Sequence, residues 1–120
     1  MSHCHPEHAP LAFIYDRCAG RARRRLDMRL DGCRSYAEHQ GWTVVGLWID
    51  LGDHALSAYR PRHAALLDAM REGAGGCSRE ALCLVHSMPR LATDPTHRLV
   101  LQRRIAEAGG RTVTTFGAYA

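Results

Sequence analysis

All 16 of the strongly basic residues are arginine, and the chain contains no lysine. A guanidinium group is planar, keeps its charge and presents a fork of donors that matches two oxygens of a phosphate or carboxylate. Arginines gathered from separate loops are therefore candidates for an anion site. Five of them, Arg21, Arg23, Arg24, Arg25 and Arg29, crowd the start of one expected helix, where the helix dipole disfavours cations. That placement makes them a candidate contact with a nucleic-acid backbone. A solvated face in an arginine-biased composition is the plainer reading. Thiols offer a second chemistry. Cys4, Cys18, Cys33, Cys77 and Cys83 are odd in number and form no CxxC pair, so reduced thiols are expected rather than a disulfide framework. A thiolate at Cys18 could act as a nucleophile, against the reading of Cys18 as a small buried hydrophobe. His3, Cys4, His5 and His8 could chelate copper or nickel together with a free amine if Met1 is removed. They lack the preorganisation of a structural zinc site, so no metal and no cofactor are expected, and residues 1–10 are read as a flexible leader.

Such side chains work only if a fold holds them. At 120 residues the chain has the size of one domain, and with 46% hydrophobic residues it can bury a core without disulfides or metal. Its 23% charged residues set it apart from a disordered tail. No apolar run approaches the ~18 residues of a membrane helix, and no signal-peptide core opens the chain, so a cytoplasmic protein with no membrane partner is expected. The formal net charge of +4 permits an anionic partner without requiring one.

Residues 11–15 (LAFIY) read as a buried strand. From 24 to 40 the period is helical, with Leu26, Leu30, Cys33 and Ala37 on one stripe and Gly41 as the stop. Residues 42–49 form a second strand, and 50–59 a loop. Pro61 suits the first position of a helix, which GAGG at 73–76 is expected to break. Residues 81–85 (ALCLV) are a third strand, followed by a loop at 86–93. Asp94 and Pro95 then open a helix to about residue 108, and 111–116 form a fourth strand. Trp42 and Trp48 read as strand and core packing. The order β-α-β-α-β-α-β calls for an α/β fold of three layers with a mostly parallel sheet of about four strands. In such sheets ligands gather at the carboxyl ends of the strands.

At those ends the chain reads Tyr15-Asp16-Arg17-Cys18-Ala19, then Asp50-Leu51-Gly52 with Tyr59-Arg60-Pro61, then Ser87-Met88-Pro89-Arg90-Leu91. In this order and register the series resembles the catalytic domain of the serine recombinases, the resolvase/invertase family, from about residue 12 to 115. The resemblance implies a serine at the end of the first strand that attacks a DNA phosphodiester, with arginines from three loops holding the phosphate. It places Arg17, Arg60 and Arg90 on those arginines, and Asp50 on the aspartate that ends the second strand. It also places Ala19 on the nucleophilic serine, Pro89 on an aspartate, Thr93 on a further arginine and Arg29 on a helix glutamine. Alanine has no nucleophile, and nothing after Phe116 matches the family's long helix and helix-turn-helix.

The expectation is a resolvase-like domain over 11–120 with no catalytic residue, a retained anion pocket at Arg17, Arg60 and Arg90, and a binding or regulatory role tied to DNA recombination. Its partners would be DNA or a full-length recombinase, or a second copy of itself. Two alternatives stand beside it. One is an active recombinase or phosphotransfer enzyme with another nucleophile. The other is a protein-interaction domain without a nucleic-acid role.

Overall fold

The computed structural model describes residues 9–56, 60–76 and 79–118. The elements run β1 (Leu11–Cys18), α1 (Arg23–Gln40), β2 (Thr43–Leu51), a 3-10 turn (Gly52–Ala55), α2 (Pro61–Gly76), β3 (Ala81–Val85), the single turn α3 (Met88–Leu91), α4 (Pro95–Glu107), β4 (Gly110–Thr114) and β5 (Gly117–Ala118). One sheet holds all the strands in the order β2-β1-β3-β4-β5. The first four strands are parallel, as the alternation of strand and helix requires, and β5 returns antiparallel on β4.

Alternation along β1 divides the core. Phe13 and Tyr15 face α2, α3 and α4, where Leu66, Met70, Leu91, Leu101 and Ile105 are buried. Ala12, Ile14 and Cys18 face α1 and its stripe of Leu26, Leu30, Cys33 and Ala37. Each fully buried Leu or Ile contributes roughly 1.5–3 kcal/mol relative to exposure. At the end of α1 the backbone turns left-handed at Gly41, with φ +78°. The Gly41 and Trp42 N–H groups there donate to the carbonyls of Glu38 and Ala37. Asp94 caps α4 by accepting the His97 N–H at 3.0 Å, as its position before Pro95 predicts.

The expected break of α2 at residues 73–76 does not occur, since the helix continues to Gly76. Gly73 serves packing instead. A Cβ there would stand 3.3 Å from Phe13 Cζ and 3.5 Å from Leu11 Cδ1, so its absence lets α2 lie close on β1. The two expected loops also contain structure, namely the 3-10 turn and α3.

One irregularity sets the geometry of the strand ends. Ala12 pairs with Val44 but Phe13 pairs with Gly46, so β2 bulges at Val45. The shift brings Arg17 opposite Asp50 at the carboxyl edge.

Candidate functional site

At the carboxyl edge of the sheet, Asp16 is the hub. It is 1% exposed and points to the α1 side. Arg29, from the second turn of α1, donates Nε to Asp16 Oδ2 at 2.7 Å and Nη2 to Oδ1 at 3.2 Å. Arg90 on α3 donates Nε to Oδ1 at 3.2 Å and Nη2 to the Arg17 carbonyl at 2.6 Å. The Arg17 N–H also donates to Asp16 Oδ1, at 2.6 Å. One carboxylate thus takes charge-assisted bonds from two guanidinium groups, which ties α1 and the loop after β3 to the end of β1.

Arg17 points to the opposite side. It donates Nη1 to the Ala55 carbonyl at 2.9 Å and Nη2 to the Pro89 carbonyl at 2.8 Å, while its buried Nε has no partner. Burial, then the charges of Arg60 and Arg90, weaken its hold on the proton. Arg60 is 3% exposed and donates to the Leu91 carbonyl. Arg60 and Arg90 thus both lie near enough to Arg17 for their charges to act on it.

Beneath them, Asp50 binds structure rather than solvent. Its carboxylate accepts the Tyr15 hydroxyl at 2.8 Å and the N–H groups of Arg62 and His63 at 2.9 and 3.1 Å. The last two are free donors of the first turn of α2, so Asp50 caps that helix from the end of another strand. Burial, followed by the charge of Asp50, holds the Tyr15 hydroxyl far above its ordinary value and keeps it protonated. His63 stands edge-on to the Tyr15 ring at 4.8 Å.

The arginines at the start of α1 separate into two kinds. Arg21, Arg23, Arg24 and Arg25 are exposed at a helix terminus with no side-chain cap and no acidic residue in its first turn. Arg29 leaves that group and turns inward to Asp16. Cys18 is 5% exposed and directs Sγ to the Gly20 carbonyl at 3.4 Å. Burial pushes the thiols of Cys33 and Cys83 up to about 12, so neither forms a thiolate near neutral pH. Cys18, Cys33 and Cys83 are free. Cys4, Cys77, His3, His5 and His8 lie outside the described residues. Among the described residues no group of three or more His, Cys, Asp or Glu is placed to hold a metal ion. No helix among them is long and apolar enough to cross a membrane.

Sequence reasoning singles out neither Asp16 nor His63, and it reads Arg29 as one of a basic cluster facing a nucleic-acid backbone or solvent, where the structure turns it inward to Asp16. Strand alternation gave a usable signal for Asp16, because it places that residue on the face toward α1 with Arg29.

No protein-family profile and no curated protein matches the sequence. Solved structures do match its shape. The C-terminal catalytic domain of ISC1926 TnpA, an IS607-like serine recombinase, superposes with a TM-score of 0.70 at 20% identity, over 89% of this chain and 68% of that one. The N-terminal catalytic domain of TP901-1 integrase gives 0.71 at 21% identity, over 88% and 77%. A resolvase family site-specific recombinase from Streptococcus pneumoniae gives 0.69 at 16% identity, over 89% and 72%. The fold of this chain is that of the serine recombinase catalytic domains.

Proposed function

We propose that this chain is a serine-recombinase-like domain without strand-exchange chemistry, acting as a cytoplasmic binding or regulatory module in DNA recombination and holding a phosphate group at Arg17, Arg60 and Arg90. The observation that carries this reading is the contrast at the end of β1. Arg17 is retained and tied into the arginine cluster, whereas the exposed residue two positions on is Ala19, which has nothing to attack phosphorus. Neighbouring groups do not take its place, since Cys18 is buried and the Tyr15 hydroxyl is committed to Asp50. The charge balance supports an anion. Arg17, Arg29, Arg60 and Arg90 outnumber the buried carboxylates Asp16 and Asp50.

The test is incubation with supercoiled plasmid, quenched with detergent. No nick and no protein–DNA adduct are expected, and an adduct on Cys18 or any other side chain overturns the reading. For the anion, sulfate is expected to raise the melting temperature above chloride at equal ionic strength, and Arg90→Ala to reduce the difference. A site filled to ~100 times its dissociation constant contributes about 2.7 kcal/mol. The variant controls for the general stabilisation that sulfate produces by surface exclusion.

A second reading, a domain that binds only protein, draws on exposed Leu56, Leu99 and Phe116, which are 66%, 64% and 80% accessible. DNA affinity separates the two. A module on the phosphate backbone loses affinity steeply with salt, by about 0.9 log units per log unit for each phosphate neutralised. Absence of DNA binding at low salt favours the second reading.

A further inference from the structure

We propose that the flank of the domain between α2 and α4 carries a second anion site, for a small free oxyanion of the phosphate type, built on Arg60, His63 and Arg104. It does not depend on the recombinase reading, and it shares Arg60, but neither Asp16 nor Arg90, with the strand-end cluster.

A cavity of about 260 Å³ opens there, lined by Arg60, His63, Leu67, Asp68, Arg71 and Arg104 among others. That is below the ~300–1,000 Å³ of pockets for drug-sized ligands, so it suits a phosphate or a short phosphomonoester rather than a nucleotide. Three guanidinium groups face one carboxylate. Asp68 is already paired with Arg71 Nη1 at 3.0 Å, and both are exposed, which places that neutral pair at the rim. The Arg104 guanidinium is exposed and makes no hydrogen bond or ion pair among the described residues.

Deeper in, Arg60 and His63 are 3% and 1% exposed. His63 Nε2 is sealed from solvent and has no partner, although buried ring nitrogens are nearly always hydrogen-bonded. An oxyanion held between Arg60 and Arg104 supplies the missing partner through a small turn of the ring. The local field fits this occupant. Burial, then the charge of Arg60, holds His63 down to about 4, with Arg104 acting in the same sense and Asp50 against it. On α4, His97 also has an unpartnered buried Nε2. It is held down by burial and by Arg60, Arg104 and Arg17, against Asp94. Arg60 and Arg104 both act to disfavour a proton on these two rings, with Asp50 acting against them at His63 and Asp94 at His97. At the strand ends, Asp16 lies within the cluster.

The test is calorimetric titration of the full chain with inorganic phosphate, ionic strength being held with chloride, alongside NMR titration of the His63 ring. Saturable binding is expected. Arg104→Ala should weaken it at least tenfold without changing the melting temperature measured in chloride. Arg90→Ala, at the strand-end cluster, should leave an Arg104-dependent phase in place. Saturating phosphate should raise the midpoint of His63 by about one unit, because a bound anion favours the imidazolium. Phosphate binding that is the same in Arg104→Ala as in the native chain, or a His63 titration that phosphate leaves unmoved, overturns the site. Displacement of the phosphate by duplex DNA overturns the free oxyanion as occupant in favour of a backbone phosphate. Loss of anion binding in Arg90→Ala alone would support the strand-end pocket and overturn this one.

Discussion

The Tyr15 hydroxyl donates to Asp50 Oδ2 at 2.8 Å, joining the ends of two neighbouring strands through a carboxylate that is 1% exposed. The same carboxylate caps α2 through the N–H groups of Arg62 and His63. A single buried charge thus fixes the spacing of β1 and β2 and the position at which the helix behind them begins. Arg60, directly before that helix, is placed by the same bond set.

Removing either partner should therefore cost stability unequally. Tyr15→Phe loses one hydrogen bond to a charged group and is expected to cost about 1.5–3 kcal/mol. Asp50→Ala strips the cap and strands the buried hydroxyl, and is expected to cost about 3–4 kcal/mol. Urea unfolding of the two single variants and the double variant measures the coupling. Additive costs would show that the bond carries no energy of its own.

Asp16→Ala is expected to be among the most damaging single changes at the sheet edge. It leaves the guanidinium groups of Arg29 and Arg90 together with no carboxylate between them, and breaking one side of a buried ion pair costs about 3–5 kcal/mol. Arg29→Ala should cost clearly less, because Arg90 still pairs Asp16 and the Arg29 side chain is 17% exposed. Chemical denaturation ranks the two, and an equal or reversed order would remove Asp16 from the centre of the cluster.

The pH dependence of stability should carry the signature of His63. Its folded value is depressed to about 4 from an ordinary 6.5, so between those values the unfolded chain binds the proton and the folded chain does not. Stability is complete above about pH 6.5, falls as pH drops toward 4 and levels below it. The loss is on the order of 3 kcal/mol, at 1.36 kcal/mol per unit. In His63→Leu this part of the slope should vanish. Parallel stability curves for the variant and the native chain from pH 7 to 4 would contradict the assignment.

Gly110→Ala tests the join between α2 and the sheet. A Cβ at this residue would lie 1.9 Å from Met70 Cε and 2.9 Å from the Ala81 carbonyl oxygen. Overpacking of this kind typically costs about 1–3 kcal/mol. Shortening Met70 should recover only part of that, because the Ala81 oxygen is backbone. A melting temperature equal to that of the native chain would show that β4 can move away from β3 freely.

Local pattern made most of the fold legible. The run Ala81–Val85 is a strand with the bounds that its apolar stretch predicts, and Leu26, Leu30, Cys33 and Ala37 form the buried stripe of α1. Glycine was less readable. At Gly41 it ends a helix through a positive φ, whereas at Gly73 the same residue type sits within a helix because a side chain would strike Phe13. The two uses look alike in sequence, since one depends on backbone torsion and the other on a neighbour sixty positions away. The site divides in the same way. The resemblance put Arg17, Arg60 and Arg90 at strand ends, which is a matter of topology. The partners of those arginines, among them Asp16, Ala55 and Pro89, depend on which loops meet in space. His63 and Arg104 lie on different helices and have no sequence pattern that joins them.

The two terminal nitrogens of Arg17 reach carbonyls in two different loops, Ala55 after β2 and Pro89 after β3, while Arg60 and Arg90 bind the carbonyls of Leu91 and Arg17. A lysine, with one nitrogen at its tip, cannot span such a pair. These arginines therefore act as cross-braces between loops, whether or not an anion is bound. The outline of this edge is in that sense a property of the fold, held in place by the same forked side chains that would face a ligand.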